Sequence, residues 1–497
     1  MKRTFLTIFL LISIQLVEAQ VIVPSDKPNV TQKLQLKRGY GMFMHFGVNT
    51  FAGVEWSDGS LPATMYHPTA LDCDQWVKVA RDAGFRYVIL TTKHHDGFCL
   101  WDSQFTTYDV ASSPVKTDVV AAVAKACKKY DIGFALYYSL WDRHEPSYKS
   151  KDFSNYVDYM INQLTELFTN YGPICELWFD GSWDRPVKDW ELDRVYRAVK
   201  KLQPNCAIGT NLTIVQKEGE NNLVIPDLMT VDNKYVVQYF PTDFRLWDPN
   251  IAHLKDKKQY MHQGESYYLP FEHTICLSKE WTWFQKPNPG PTRDLDELEQ
   301  LFNWTTSNNN VLVVNVPPDT TGQLTEQDAN AVILLGKRLG IKKNRPLPKN
   351  DRIISLSAEA NATSVWENNI SDWGAKMAVD GGMRTRWASS EIKSELVVKL
   401  NPNESFNKIA IFEYQDVQKS NDPTDIFSTY RVNRIQSYTI DILVKDQWKT
   451  IYSDNRTMGD CKVIRFPGIY KTSEIRLRIL KATAPPSIYE FNVIHTK

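Results

Sequence analysis

Short apolar runs alternate with stretches whose apolar positions recur at helical spacing. Strand-like runs cover residues 41–47, 85–93, 132–138 and 174–180, and helical spacing covers 71–83, 115–129 and 153–171. Strand, helix and strand in regular succession predict parallel βα units. The run at 174–180 has large apolar side chains with little alternation, which fits a strand covered on both faces. It closes on Asp180-Gly181, and the earlier runs close on His45, on His94-His95 and on Tyr138. Polar groups at successive strand ends predict a (β/α)8-like barrel with its site at the C-terminal ends of the strands. Asp-Gly is also an ordinary turn pair, so Asp180 alone reads equally as the exit from a strand.

Further along, helical spacing at 191–202 precedes a weak strand at 206–210 and a long, loop-rich stretch from 218 to 268. That stretch suggests an active-site loop set. Helix, strand and helix return at 294–306, 310–316 and 325–339, and a basic, proline-containing stretch at 341–350 reads as a linker. From 351 the pattern changes to short alternating runs, at 395–400, 408–412, 438–443 and 474–479, which predict an all-β sandwich. The expected organisation is a signal segment at 1–19, a barrel at 20–340 and a jelly-roll-like sandwich at 351–497.

The signal segment has Lys2 and Arg3, an apolar run from Phe5 to Ile14, and Val17-Glu18-Ala19 as a cleavage site, which predicts export. That run is too short to span a bilayer. Lys+Arg and Asp+Glu both count 58, so no bulk basic field draws nucleic acid or acidic lipid. The seven cysteines lack CxxC spacing and read as buried thiols. Asn29, Asn211, Asn303 and Asn455 begin Asn-x-Ser/Thr sequons. Fifteen Trp and 23 Tyr suit either a sugar-binding cleft or a large core.

His45, Glu55-Trp56, His94-His95, Tyr138 and Asp180 form a candidate site. Retaining sugar hydrolysis needs a nucleophilic carboxylate and a second carboxyl group as proton donor, with hydrogen-bonding groups to fix the hydroxyls. Zinc is a weaker reading of the histidines, because adjacent His94 and His95 would point to opposite faces of a continued strand and no HExxH is present. No metal or other cofactor is expected.

The stretches HFGVNTFAGVEW (45–56), LTTKHHDGFCLWDS (90–103), ALYYSLWD (135–142) and ELWFDGSW (176–183) resemble motifs of the family 29 glycoside hydrolases, the retaining α-L-fucosidases. The resemblance implies Asp180 as nucleophile and His45, Glu55, Trp56, His94 and His95 as fucose-binding residues, with Tyr138 a further match. For the acid/base it points to Glu272, in 269–276 ahead of Trp281-Thr282-Trp283-Phe284, with Glu220 and Glu218 as alternatives. Trp283 packs on the fucose methyl group or belongs to the core. The short spacing from His45 to Glu55-Trp56 resembles the branch that prefers α-1,3/1,4-linked fucose. Residues 378–388, with 488–493 at the end, resemble the discoidin or coagulation-factor type C sandwich used for carbohydrate binding. The implied partner is a fucosylated oligosaccharide or glycoprotein glycan. The rivals are an exported glycan-binding protein without catalysis and another retaining exo-glycosidase, such as an α-galactosidase.

Overall fold

The computed structural model describes residues 22–216, 235–246, 251–284, 292–419 and 429–497. The signal segment and the alternatives Glu218 and Glu220 lie outside the described residues. Eight parallel strands close a barrel: β1 Tyr40–Met44, β2 Tyr87–Lys93, β3 Gly133–Ser139, β4 Glu176–Asp180, β5 Ala207–Thr210, β6 Phe244–Leu246, β7 Phe271–Cys276 and β8 Val311–Asn315. Each pairs with its neighbour in chain order, and β8 pairs with β1. Helices α1 Val30–Arg38, α2 Cys73–Asp82, α3 Val119–Tyr130, α4 Ser154–Asn170, α5 Leu192–Leu202, α6 Leu295–Ser307 and α7 Glu326–Leu339 accompany the strands. Asp72, Asp118 and Thr325 cap α2, α3 and α7 by accepting from Gln75, Ala121 and Asp328 amides.

Strand geometry sorts the side chains of β4. Trp178 packs in the barrel interior with Phe43, Ile89 and Tyr137, while Leu177 and Phe179 belong to the outer core against the helices. Glu176 and Asp180 share the inward face with Trp178, because alternate residues of a strand point the same way. Asp180 thereby stands at the barrel mouth and Glu176 at the opposite end.

Two barrel strands lie where the sequence pattern suggests none. β6 has only three residues, too few to show a period, and β7 is buried at every position, so it lacks alternation. The stretch expected to be loops also supplies three strands of a four-stranded side sheet, Tyr235–Val237, Gln259–His262 and Glu265–Tyr268, which Ile214–Gln216 just ahead of it completes.

The C-terminal region forms two five-stranded sheets around a core that includes Trp387, Ile411, Tyr438, Leu477 and Phe491. It docks against α6. Phe412 meets Trp304 at 6.2 Å, and buried Lys408 reaches Glu299 at 3.3 Å and Asp351. Arg465 adds bonds to Glu299 at 2.8 Å and Asp296 at 3.0 Å. All seven cysteines are free. Among the described residues no helix is long and apolar enough to cross a membrane.

Candidate active site

The barrel mouth gathers side chains from the ends of six strands, β1 to β5 and β8. Asp180 closes β4 and is 9% exposed. Its Oδ2 accepts from Tyr137 Oη at 2.9 Å, and its Oδ1 accepts from Asn211 Nδ2 at 3.0 Å. Burial raises its pKa above the ordinary carboxylate value, and the two hydrogen bonds oppose that rise. The carboxylate is fixed in orientation and still open to a ligand. Gly181 follows with φ +76, and a Cβ there would come within 2.7 Å of Trp141 Cβ and 3.1 Å of the His95 ring. The Asp-Gly pair is therefore a turn that also clears space beside the site.

Three buried histidines face this carboxylate. His45 Nδ1 lies 3.0 Å from Asn315 Oδ1, so its N–H donates there and Nε2 is left as an acceptor. Ser139 Oγ donates to the Trp141 carbonyl at 2.6 Å and lies 2.6 Å from His95 Nδ1. A hydroxyl has one proton, so it accepts from His95 Nδ1–H, and Nε2 is again the acceptor. Asn49 Nδ2 donates its two protons to Asp96 Oδ2 at 2.8 Å and to the Glu55 carbonyl at 3.0 Å, and lies 3.3 Å from His94 Nδ1. Burial lowers His45 and His95 to about 3 and His94 well below the usual value. His95 Nε2, 3.5 Å from Asp180 Oδ2, is thus uncharged at neutral pH. Two ring acceptors beside a carboxylate suit a polyol. Among the described residues no group of three or more His, Cys, Asp or Glu is arranged to hold a metal ion.

The walls are aromatic. Tyr137 stacks on His94 at 5.6 Å and on Trp178 at 5.4 Å. Trp283 is buried, with its ring 5.1 Å from His45 and 5.3 Å from His94, and its indole N–H has no partner among the described residues. Trp281 lies 5.4 Å from His45 and hydrogen-bonds Glu55. Glu55 is half-buried. Burial and then the charge of Asp180 raise it to about 7, against the lowering effect of the Trp281 hydrogen bond. Its backbone carbonyl accepts from Asn49 Nδ2 at 3.0 Å. The adjoining Trp56 ring lies 5.8 Å from His95.

Two of the expected residues lie elsewhere. Tyr138 points out of the barrel, where its hydroxyl meets Gln163 of α4 at 2.7 Å and Lys93 Nζ at 2.9 Å. Its neighbour Tyr137 faces inward, as the strand period of two requires. Tyr137→Phe is expected to lower kcat/KM by roughly 10- to 100-fold, the worth of a hydrogen bond to a charged group, and to move the acid limb of the pH profile upward. Tyr138→Phe should leave both unchanged while costing about 1–3 kcal/mol of stability through the buried Lys93–Asp142 pair, as thermal unfolding would register.

Glu272 is the second correction. It stands at the beginning of β7, where its carboxyl accepts from Tyr87 Oη and Trp178 Nε1, each at 3.0 Å, and hydrogen-bonds Glu176. Four residues separate Glu176 from Asp180, or ~13 Å along a strand. That places Glu272 beyond the ~5–5.5 Å a retaining pair needs. Burial and the neighbouring Glu176 raise its pKa well above the carboxylate value, so it keeps a proton at the barrel floor. An acid held neutral stabilises the fold most at pH below its unfolded value and progressively less as pH rises toward its folded value. Glu272→Gln should therefore retain turnover and raise Tm by about 2 °C or more at pH 8 relative to wild type, the effect vanishing near pH 4.

Asn211, Asn315, Ser139 and Asn49 are site residues that the sequence pattern did not single out as such. Asn211 was legible only as a sequon, and its buried amide, engaged with Asp180, leaves no room for a glycan.

The alpha-L-fucosidase family model matches residues 56–344. The chain is 30% identical over 470 residues to alpha-L-fucosidase 1 of Arabidopsis thaliana, covering 92% of this chain and 85% of that protein. It is 29% identical over 185 residues to plasma alpha-L-fucosidase of Homo sapiens, 30% of this chain and 39% of that one. The structure is similar to a Ruminococcus gnavus GH29 fucosidase in complex with fucose, with TM-score 0.50, 21% identity, and coverage of 96% and 97%. It is also similar to SpGH29, with TM-score 0.54, 22% identity, and coverage of 96% and 100%. At these identities the structural likeness speaks for the fold.

Proposed function

Because the chain belongs to the alpha-L-fucosidase family of glycoside hydrolases, we propose that it removes terminal α-L-fucose from glycans by a retaining double displacement at Asp180. The observation that carries this reading is the pair Asp180 and Glu55. One is an oriented carboxylate at a strand end, and the other is a carboxyl group that burial and its neighbour's charge push up to about 7.

Asp180 attacks the anomeric carbon as the bond to the leaving oxygen breaks, and Glu55 gives its proton to that oxygen. Water then loses a proton to Glu55 and displaces Asp180 from the anomeric carbon, so the sugar leaves with its original configuration. His45 and His95 accept from sugar hydroxyls through Nε2. Trp281 and Trp283 supply apolar surface for the methyl group of fucose.

The test is hydrolysis of aryl α-L-fucoside beside the α-galactoside, with the first-formed anomer followed by proton NMR. Release of fucose, initially as the α-anomer, supports the proposal. An initial β-anomer overturns retention, galactose release favours the other exo-glycosidase, and inertness on every fucoside favours a binding protein. The short stretch from His45 to Glu55 supports a preference for α-1,3/1,4 linkages, to be compared with α-1,2 on matched trisaccharides. Export is supported by the pattern at residues 1–19. A discoidin-like role for the sandwich is supported by the 380–382 turn, where Glu490 accepts from the amides of Gly381 at 2.7 Å and Gly382 at 3.2 Å.

A further inference from the structure

Adjacent residues of a strand point to opposite faces, yet His94 and His95 both line the mouth. Their rings lie 4.3 Å apart, with His94 stacked on Tyr137 at 5.6 Å and His95 Nε2 3.5 Å from Asp180. The cause lies just ahead of them on β2. Tyr87 and Ile89 belong to the barrel interior, so plain alternation would bring Lys93 inward as well. Instead the pairing of β2 with β3 slips: Thr91 stands opposite Tyr137 and Lys93 opposite Tyr138, which makes Thr92 the extra residue of a β-bulge. The Thr92 hydroxyl donates to the Tyr137 carbonyl at 2.6 Å. The bulge turns Lys93 outward beside Tyr138 and leaves His94 facing in.

Behind the bulge, Lys93 is fully buried, and its Nζ donates to Asp142 Oδ2 at 2.8 Å and to Gln163 of α4 at 3.3 Å as well as to Tyr138. Asp142 is equally buried, and its Oδ1 accepts from the amides of His144 at 3.1 Å and Glu145 at 3.0 Å. The ion pair thus fastens the end of β2 to the loop after β3. The same two segments meet again on the pocket side, where the Arg143 amide donates to the His95 carbonyl at 3.1 Å and Ser139 Oγ lies 2.6 Å from His95 Nδ1. Gly97, with φ +91, closes the turn by donating to the His94 carbonyl at 3.0 Å, and a Cβ there would collide with Asp142 Oδ1. We infer that Lys93, paired with Asp142, is a positioning residue for the sugar site: the pair holds the bulge and the turn that aim both His94 and His95 into the pocket, without touching the sugar itself. This rests on the glycosidase reading, in which the histidines at the mouth bind fucose, and adds what orients them.

Removing one partner of a buried ion pair strands the other charge, whereas removing both costs little stability. The test therefore uses Lys93→Met/Asp142→Asn, which keeps an oxygen for the amides of His144 and Glu145. Well below its unfolding temperature, the inhibition constant of L-fucose should rise at least about tenfold, and kcat/KM on aryl α-L-fucoside should fall in parallel, mainly through KM, as expected when binding groups are misplaced. A pair with only a structural role would lower Tm and leave both constants unchanged. Fucose inhibition within about twofold of wild type in the folded double variant overturns the inference. Should that variant not fold, Asp142→Asn alone decides: a rise of about threefold or more supports the inference, and a smaller one overturns it. His95→Ala is the control on the reading beneath. If it is inhibited by fucose as strongly as wild type, or if wild type releases no fucose, the glycosidase reading of the histidines fails and the inference falls with it.

Discussion

Asp180→Ala should lower kcat on aryl α-L-fucoside by ~10³-fold or more, because the group that forms the covalent bond is gone and no neighbour can replace it. Thermal unfolding should change little or shift upward. Asp180 is a buried carboxylate whose burial opposes its charge, and removing such a group commonly relieves the fold. Azide supplied to this variant can enter the space left by the side chain and attack the α-fucoside directly, giving the β-azide. Full activity in Asp180→Ala, or rescue giving the α-azide, would contradict the assignment.

Glu55→Ala carries the second large effect. A proton donor contributes ~10²–10⁴-fold, and the loss should grow with the basicity of the leaving group. The fall is expected to be severe on an unactivated oligosaccharide and slight on fucosyl fluoride. Azide should rescue it as the α-azide, since a β-linked enzyme intermediate is being attacked. The direction of the pH dependence follows from the role. Glu55 acts in its protonated form, so wild-type activity should decline as pH rises through about 7, the value to which burial and Asp180 push it. That alkaline limb should disappear in Glu55→Ala on the fluoride. Should Glu218→Ala or Glu220→Ala instead show α-azide rescue while Glu55→Ala does not, the proton donor belongs to the later loop.

Much of the barrel was legible because its first four strands are long, apolar and followed by helices of regular period. The strand ends were legible for the same reason, and His45, His94, His95 and Asp180 stand together at the mouth. What failed was facing. Tyr137 and Tyr138 are adjacent tyrosines on β3, and composition cannot tell which one points inward; the register of Ser139 opposite Asp180 decides it. Glu272 was misplaced because β7 carries no alternation, so nothing in 269–276 marked which end of a strand the carboxylate occupied. Asn211 and Asn315 act through hydrogen bonds between neighbouring barrel strands, to partners 31 and 270 residues away along the chain, which no local pattern encodes. Glu55 drew notice as a binding residue; the influence of Asp180 on its ionisation is a matter of tertiary proximity.

The most direct test of the central claim is trapping with 2-deoxy-2-fluoro-α-L-fucosyl fluoride, followed by peptide mapping of the labelled protein. The fluorine slows both steps, and the good leaving group lets the first proceed, so the covalent intermediate accumulates. The account predicts one equivalent of 2-fluorofucosyl label on the peptide containing Asp180, with loss of activity in step with labelling. Label on another carboxylate, with none on Asp180, would contradict it.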